Sequence, residues 1–240
     1  MPQISLNPQP DHAQALSEQI PDRGLFITGT DTEVGKTFVT ASILRGLISL
    51  GISVGAYKPV ASGMDETMPG DPDILAEASG NREEPSLYCS QRFLAPLAPP
   101  MAAELENRLV DESLLLRGAT LWKDRCQVLV VEGAGGWLSP ISLSWTNADI
   151  ARALSYPVVL VAANKLGVVN HVLLTLESIV RHDLNVRAVI LNNAFDATDH
   201  SVSSNARLLG LFLEKRFPTI RLLLVGFNQA LPANEASGLL

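Results

Sequence analysis

The sequence predicts an α/β fold, a doubly wound and mostly parallel sheet flanked by helices. Short apolar runs alternate with helix-like segments from residue 24 onward, which is typical of repeated strand–helix units. Several of these runs are apolar at every position, as in strands that are buried on both faces. A glycine-rich turn joins the first run to the first helix. Ligands of such a sheet are expected beyond the carboxyl ends of its strands.

The first predicted elements are a strand, a helix and a second strand. The run Leu-Phe-Ile-Thr at 25–28 indicates the first strand. Residues 36–50 carry apolar side chains at helical spacing, and Gly51 is suited to end this helix because glycine accepts a left-handed backbone. The apolar run at 53–57 predicts the second strand.

The middle of the chain is predicted to contain two helices and a third strand. Asp71 is a favourable N-cap and Pro72 suits the first helical position, so a helix is expected to begin there. Residues 93–101, rich in proline and alanine, predict an irregular connector. A helix over 112–124 then leads into an uninterrupted apolar strand over 127–131.

The alternation continues to the C-terminal part of the chain. Strands are predicted at 157–162, 186–191 and 220–225, and helices at 170–182 and 204–216. The pattern predicts one catalytic domain over residues 24–240, without internal repeats. Residues 1–23 are expected to form a flexible N-terminal extension.

Composition and charge exclude several classes of function. The 240 residues are 47% hydrophobic and 18% charged, a balance typical of globular proteins. A net charge of −7 without clustered Lys and Arg argues against a nucleic-acid partner. The apolar stretches are too short to cross a bilayer, and the N-terminal residues do not resemble a secretory signal. With Cys89 and Cys126 lacking metal-type spacing, the sequence predicts a cytoplasmic protein without a membrane partner.

Residues 29–37 have the composition of a phosphate-binding loop, Gly-Thr-Asp-Thr-Glu-Val-Gly-Lys-Thr, between a strand and a helix. Backbone N–H groups at the helix start can bind phosphate oxygens, and Gly35 lets the backbone approach them. Lys36 supplies a charge for the terminal phosphates, and the Thr37 hydroxyl can ligate Mg²⁺. Five residues instead of the usual four separate the two glycines, so that Thr30 replaces the first glycine of the usual motif. The pattern predicts ATP binding and a P-loop NTPase type of fold.

A Mg²⁺ ion beside such a loop usually takes a carboxylate from the end of a neighbouring strand. Glu132 follows four apolar residues and precedes Gly-Ala-Gly-Gly, which favours a role in the site over that of a surface acid. The spacing of Asp73 leaves two interpretations open, a metal ligand or an acid that favours the dipole of its helix.

Four motifs, in order along the chain, resemble those of the dethiobiotin synthetase family. The phosphate loop with its extra residue is the first. The others are Tyr-Lys-Pro-Val-Ala-Ser-Gly at 57–63, Glu-Gly-Ala-Gly-Gly-Trp at 132–137 and Lys-Leu-Gly-Val-Val-Asn-His at 165–171. The similarity covers nearly all of residues 24–200. Two features depart from the family pattern: Val-Gly-Phe-Asn at 225–228 replaces the usual Ile-Pro-type turn, and the helix from Ser204 lacks a tyrosine that some members use.

The resemblance implies a ligase of biotin biosynthesis that uses ATP and Mg²⁺. The substrates would be 7,8-diaminopelargonate and CO₂ or bicarbonate, joined into the cyclic urea of dethiobiotin with release of ADP and phosphate. The chemistry brings a carbamate anion to an anionic γ-phosphate, so fixed positive charge is required, and Lys36, Lys58 and Mg²⁺ would supply it. The family also implies a homodimer with the substrate site near the subunit interface.

The motif match also implies roles for individual residues. The nucleotide contacts would be Thr32, Glu33, Val34, Gly35, Lys36, Thr37, Phe38, Asp73, Glu132, Gly133, Ala134, Gly135, Asn192 and Asn193, of which the two asparagines would face adenine. Mg²⁺ would be held by Thr37, Asp73 and Glu132. Lys58 would be the catalytic lysine with Lys36, and Ser62, Gly167 and Asn170 would bind substrate. His171 is expected to have no catalytic role, because a lone histidine on a helix is more often structural.

Two other classes of protein use a related nucleotide core. The corrin-ring amidating ligases need a glutaminase domain with a nucleophilic cysteine, for which this chain has neither the length nor a suitable cysteine. Partitioning ATPases usually carry an extra lysine early in the phosphate loop, and residues 29–34 contain none. ATPase activity that depends on the diamine and bicarbonate would distinguish the synthetase from a switch that is stimulated by protein or DNA.

Overall fold

Six parallel strands form one sheet in the computed structural model, which describes residues 18–65, 67–80, 83–194 and 201–240. The strands are β1 (Gly24–Gly29), β2 (Val54–Tyr57), β3 (Val128–Gly136), β4 (Val158–Ala163), β5 (Val186–Asn192) and β6 (Arg221–Val225). Their order across the sheet is β2-β3-β1-β4-β5-β6, and each neighbouring pair is parallel. The predicted α/β fold is therefore confirmed, and β1, which leads into the phosphate loop, lies inside the sheet.

Nine helices accompany the sheet in the described part of the chain. They are α1 (Lys36–Ser49), α2 (Asp71–Ala78), α3 (Pro85–Tyr88), α4 (Pro99–Leu105), α5 (Glu112–Thr120), α6 (Asn147–Leu154), α7 (Val168–Arg181), α8 (Val202–Arg216) and α9 (Ala233–Ser237). Every residue of β1 and β4 is buried, as expected of central strands that have both faces covered. No helix in these ranges has the length and apolar character needed to cross a bilayer.

Several predicted boundaries were wrong. Helix α4 occupies part of the segment expected to be an irregular connector, and α6 was not predicted. Its start carries a capping box, in which the carboxylate of Asp149 accepts from the N–H of Thr146 at 2.8 Å. A Thr followed three residues later by an acid is a recognised signal for a helix start, so the sequence did contain evidence for α6.

The start of α2 also differs from the prediction. Gly70 is the N-cap, and Asp71 is the first helical residue instead of the cap. Asp73 accepts a hydrogen bond from the N–H of Gly70 at 2.9 Å, which completes this helix start.

The predicted N-terminal extension lies largely outside the described residues, which begin at residue 18. Its last residues contact the domain: Ile20 is 2% exposed, and the Tyr156 hydroxyl donates to the carbonyl of Pro21 at 2.6 Å. The core therefore includes residues that precede β1.

Candidate active site

The phosphate loop connects β1 to α1 and is fixed at its base by the neighbouring strands. The N–H of Thr30 donates to the carbonyl of Val161 in β4, and the N–H of Trp137 donates to Gly29, each at 3.0 Å. Gly35 is the N-cap of α1, with a left-handed φ of 85° and without a side-chain cap. The first N–H groups of α1 thus have no side-chain acceptor at the cap, which makes this helix start a site for an anion.

A cavity of about 490 Å³ lies over the phosphate loop. Twelve of the predicted site residues line it: Thr32, Glu33, Gly35, Lys36, Thr37, Phe38, Lys58, Ser62, Ala134, Gly135, Asn192 and Asn193. Four further residues line it that the sequence analysis did not assign: Asp71, Ala194, Phe227 and Asn228. The turn at 225–228 that departs from the family pattern is therefore a wall of this cavity.

Lys58 lies at the centre of a buried cluster of charges. Its ammonium donates to Glu132 Oε1 and to Asp71 Oδ2, each at 2.7 Å, and Thr37 Oγ1 donates to the same Glu132 oxygen at 2.8 Å. The side chain of Lys58 is 4% exposed and that of Glu132 is fully buried, whereas Asp71 is about half exposed. The structure thus brings together residues from α1, β3, α2 and the end of β2.

The pKa values in this cluster follow from the balance of burial and charge. Burial acts to lower the pKa of Lys58, but the carboxylates of Glu132 and Asp71 outweigh it, so the pKa is raised above the ordinary 10.5. Burial acts to raise the pKa of Asp71, and Lys58 outweighs it, so that pKa is lowered. Lys58 is consequently a fixed positive charge near neutral pH and is poorly suited to act as a general base.

Lys36 has a different environment. Burial lowers its pKa below 10.5, with Glu132 opposing the shift and Lys58 adding to it. Its ammonium donates to the carbonyl of Asp31 at 3.1 Å. A lysine held by a neutral carbonyl instead of a carboxylate keeps most of its charge available for an anion in the cavity.

The oxygen atoms around Glu132 are of the type that binds magnesium. Glu132 Oε2 is buried and has no hydrogen-bond partner in the described residues, and such an acceptor is costly unless something satisfies it. The Thr37 hydroxyl contacts Glu132, and the Asp71 carboxylate contacts Lys58, which is paired with Glu132. Hard oxygen donors of this kind suit Mg²⁺, which usually keeps several waters and binds substrate phosphates.

Asp73, predicted as a metal ligand, does not line the cavity. One of its carboxylate oxygens accepts from the N–H of Gly70, and the other pairs with Arg92 at 2.8 Å. Its neighbour Asp71 makes the contact with Lys58. Asp71 was interpreted from the sequence as a helix cap, so its contact with Lys58 was not predicted.

The glycine-rich end of β3 is held by a residue that the sequence analysis also missed. Asn147, buried at the start of α6, accepts from the N–H of Ala134 at 3.0 Å. Its amide nitrogen donates to the carbonyls of Ala134 and Gly136, at 2.6 and 2.7 Å. A side chain atom on Gly133 would stand 2.5 Å from the Asn147 oxygen, so glycine is required there for this contact.

Besides Asp73, three predicted nucleotide contacts are absent from the cavity lining, namely Val34, Glu132 and Gly133. The Asn192 amide donates to the carbonyl of Val34 at 3.0 Å, so this asparagine also supports the phosphate loop. Asn192 and Asn193 both line the cavity.

The predicted substrate residues fall into two groups. Ser62 lines the cavity, with its hydroxyl donating to the carbonyl of Leu97 at 2.6 Å. Gly167 is the left-handed N-cap of α7 and Asn170 is exposed in the first turn, and neither lines the cavity. They lie beside the exposed apolar side chains of Leu166 and Leu174.

Comparison with known proteins gives consistent matches. The AAA domain family matches residues 23–215. The ATP-dependent dethiobiotin synthetase BioD of Anaeromyxobacter dehalogenans (strain 2CP-C) is 42% identical over 184 residues, which cover 77% of this chain and 82% of the relative. The protein of the same name from Rhodopirellula baltica is 39% identical over 196 residues, covering 75% and 77%. That from Caulobacter sp. (strain K31) is 38% identical over 194 residues, covering 79% and 84%.

Proposed function

The chain belongs to the AAA domain family and, within it, to the ATP-dependent dethiobiotin synthetases, and we propose that it converts 7,8-diaminopelargonate, CO₂ and ATP into dethiobiotin, ADP and phosphate. It is thus a ligase of the biotin pathway. One observation carries the proposal for the site: Lys36 and the buried, charged Lys58 line the same cavity as the start of α1. These are the positive charges that two anionic reactants need in order to meet.

The proposed reaction has three steps. One substrate amine adds to CO₂ and loses a proton, giving a carbamate anion. A carbamate oxygen then attacks the γ-phosphorus, and ADP leaves. The second amine attacks the carbonyl carbon of the mixed anhydride, loses a proton and expels phosphate, which closes the cyclic urea.

The residues of the chain contribute charge and orientation to these steps. Lys36 and the N–H groups at the start of α1 would bind the terminal phosphates, and Lys58 would offset the charge of the carbamate beside them. Mg²⁺, when bound, would supply further charge neutralisation at the phosphates. Because the mixed anhydride is prone to hydrolysis, the cavity must exclude water during the second half of the reaction.

The substrate carboxylate would lie near the start of α7 in a homodimer. Gly167 caps this helix without a side chain, and helix N-termini bind anions through backbone N–H groups. Because Gly167 and Asn170 do not line the cavity of their own subunit, we propose that they serve the cavity of the partner subunit. The exposed Leu166 and Leu174 beside them support an interface at this surface.

The test of the function is product formation. Incubation of the protein with the diamine, ATP, Mg²⁺ and bicarbonate should give a product with the mass of dethiobiotin and one ADP for each product molecule. Omission of the diamine or of bicarbonate should stop ADP release. ATP hydrolysis that needs neither compound and is stimulated by DNA or a protein would instead assign the chain to the switch ATPases.

The metal site yields a prediction for the two aspartates of α2. We propose Thr37 and Glu132 as ligands, which their mutual contact supports, and Asp73 as the third, which rests on the motif match. We expect D73N to raise the Mg²⁺ concentration for half-maximal activity at least about tenfold, since even groups behind a ligand are worth about 10–100-fold in metal affinity. D71N, two residues earlier in the chain, removes a partner of Lys58 and should change this concentration less than about twofold.

Titration of activity with Mg²⁺ at saturating ATP separates the two aspartates. Asp71 contacts Lys58 directly, and its pKa is lowered by that lysine. If D71N, and not D73N, raises the Mg²⁺ requirement, then Asp71 is the third ligand and the motif match fails at this position.

A further inference from the structure

A chain of three asparagine side chains lies behind the cavity, at the carboxyl ends of β4 and β5. Asn205 of α8 donates through Nδ2 to Asn164 Oδ1 at 2.9 Å. Asn164 Nδ2 donates in turn to Asn193 Oδ1 at 2.9 Å. Asn164 and Asn205 are 9% and 6% exposed, whereas Asn193 lines the cavity. This series of hydrogen bonds therefore connects the buried Asn205 side chain of α8 with Asn193, which ligands in the cavity can reach.

Backbone carbonyls determine the direction of two of these three amides, those of Asn205 and Asn164. Asn205 Nδ2 also donates to the carbonyl of Lys165 at 3.1 Å, and Asn164 Nδ2 also donates to the carbonyl of Val202 at 3.2 Å. A carbonyl can only accept, so each amide must turn its nitrogen toward it. Asn164 is thus left with its oxygen toward Asn205 and its nitrogen toward Asn193.

The orientation of Asn193 follows from that of Asn164. Its Oδ1 accepts from Asn164, and among the described residues its Nδ2 has no acceptor, so these hydrogens are available to the cavity that Asn193 lines. The side chain of the neighbouring Asn192 donates instead to the carbonyl of Val34 in the phosphate loop. Asn193, Phe227 and Asn228 all line the cavity where β5 and β6 end.

We infer that Asn164 and Asn205 are positioning residues that hold Asn193 as a hydrogen-bond donor toward the base of the bound nucleotide. The inference rests on the proposed function, in which the cavity binds ATP. A donor at this place suits adenine, whose N7 is an acceptor, whereas cytosine presents an amino donor on the corresponding edge. The sequence separates Asn164 from Asn205 by 41 positions, and folding joins them.

The test is a double-mutant cycle on nucleotide binding, measured by calorimetry with ATP and with CTP. N164A releases the Asn193 amide and should weaken ATP binding about two- to tenfold, the cost of ordering one side chain on binding. CTP binding should change less than about twofold, so the ratio of the two affinities falls. N193A should lower the same ratio by at least as much.

The double variant distinguishes positioning from general destabilisation. If Asn164 acts through Asn193, N164A should have no further effect on the ATP-to-CTP ratio in the N193A background. Unchanged ATP affinity in N164A, or an effect that adds in full to that of N193A, overturns the inference. N205A provides a second route should N164A not fold, with the same expected loss of ATP-to-CTP preference.

This experiment is independent of catalysis. A wild-type protein that binds ATP but makes no dethiobiotin would refute the proposed function and leave the asparagine chain intact. A wild-type protein that makes dethiobiotin, with N164A binding ATP normally, would refute the asparagine chain alone.

Discussion

K58Q is expected to abolish turnover, with a reduction of at least about 100-fold and only a modest loss of ATP affinity. The loss of one preorganised group that stabilises developing charge typically costs about 100–1,000-fold in rate. Lys58 is the buried ammonium of the cavity, held by Glu132 and Asp71 at 2.7 Å each. Glutamine keeps part of the length of the lysine side chain and can still donate hydrogen bonds. It carries no positive charge, so it cannot offset the charge of a carbamate.

The same substitution should also destabilise the fold, because it leaves Glu132 as a buried carboxylate without its cation. Loss of one partner of a buried pair typically costs about 3–5 kcal/mol. K123Q is a matched control, since Lys123 pairs with Asp22 at the same 2.7 Å but on the surface. K123Q should lower the free energy of unfolding by no more than about 1 kcal/mol and leave turnover unchanged.

The pH dependence of this destabilisation has a definite sign. The pKa of Lys58 is raised above 10.5 in the folded protein, so its stabilising contribution is fully present below 10.5 and is lost only as pH rises through the folded pKa. The difference in unfolding free energy between wild type and K58Q should thus remain constant from pH 7 to 10. Near-normal dethiobiotin synthesis by a folded K58Q protein would refute the assignment of Lys58.

The second large effect is expected at Gly35, where G35A should weaken ATP binding at least about tenfold. Gly35 has a φ of 85°, and a Cβ there would stand 2.1 Å from Asn192 Nδ2. Steric displacement of the loop would move the N–H groups that bind phosphate, and a loss of about 1.4 kcal/mol in binding is tenfold in affinity. The displaced Asn192 would also release the carbonyl of Val34 in the phosphate loop.

G51A is the matched control for this substitution. Gly51 has a similar φ of 79°, but nothing lies within 4 Å of the position of its Cβ. It should therefore lower the melting temperature through backbone strain and leave ATP affinity unchanged. Isothermal titration calorimetry of ATP binding to both variants separates the effect of backbone strain from that of steric displacement. Equal ATP affinities for G35A and wild type would show that the loop tolerates a side chain at this position.

Prediction and structure agree closely at the phosphate loop. Strand β1, the turn and α1 were predicted within one residue of their observed bounds, and Lys36 and Thr37 line the cavity as expected from the motif. A phosphate loop is built from consecutive residues, and its backbone geometry depends on glycines at fixed offsets. Local sequence therefore contains nearly all the information that this part of the site requires.

Asp71 and Asp73 show where local sequence is insufficient. Both are acids in the first turn of α2, and residue type alone does not distinguish them. Asp73 is held by Gly70 and Arg92, and Asp71 by Lys58. The choice depends on where the cationic partners stand after folding, and those partners come from segments that are distant in sequence.

The sequence by itself determined the alternation of strands and helices, the phosphate loop and the motif residues Lys58 and Glu132, because each depends on neighbours along the chain. Tertiary structure alone decided that Lys58 is a buried lysine paired with Glu132 and Asp71, and that Asn164 and Asn205 stand behind Asn193. The physical reason is that a hydrogen bond or an ion pair forms only between atoms that lie within a few ångströms of each other in the folded protein. Parallel strands bring distant residues to one edge of the sheet, and the side chains that meet there cannot be paired from their spacing in the sequence.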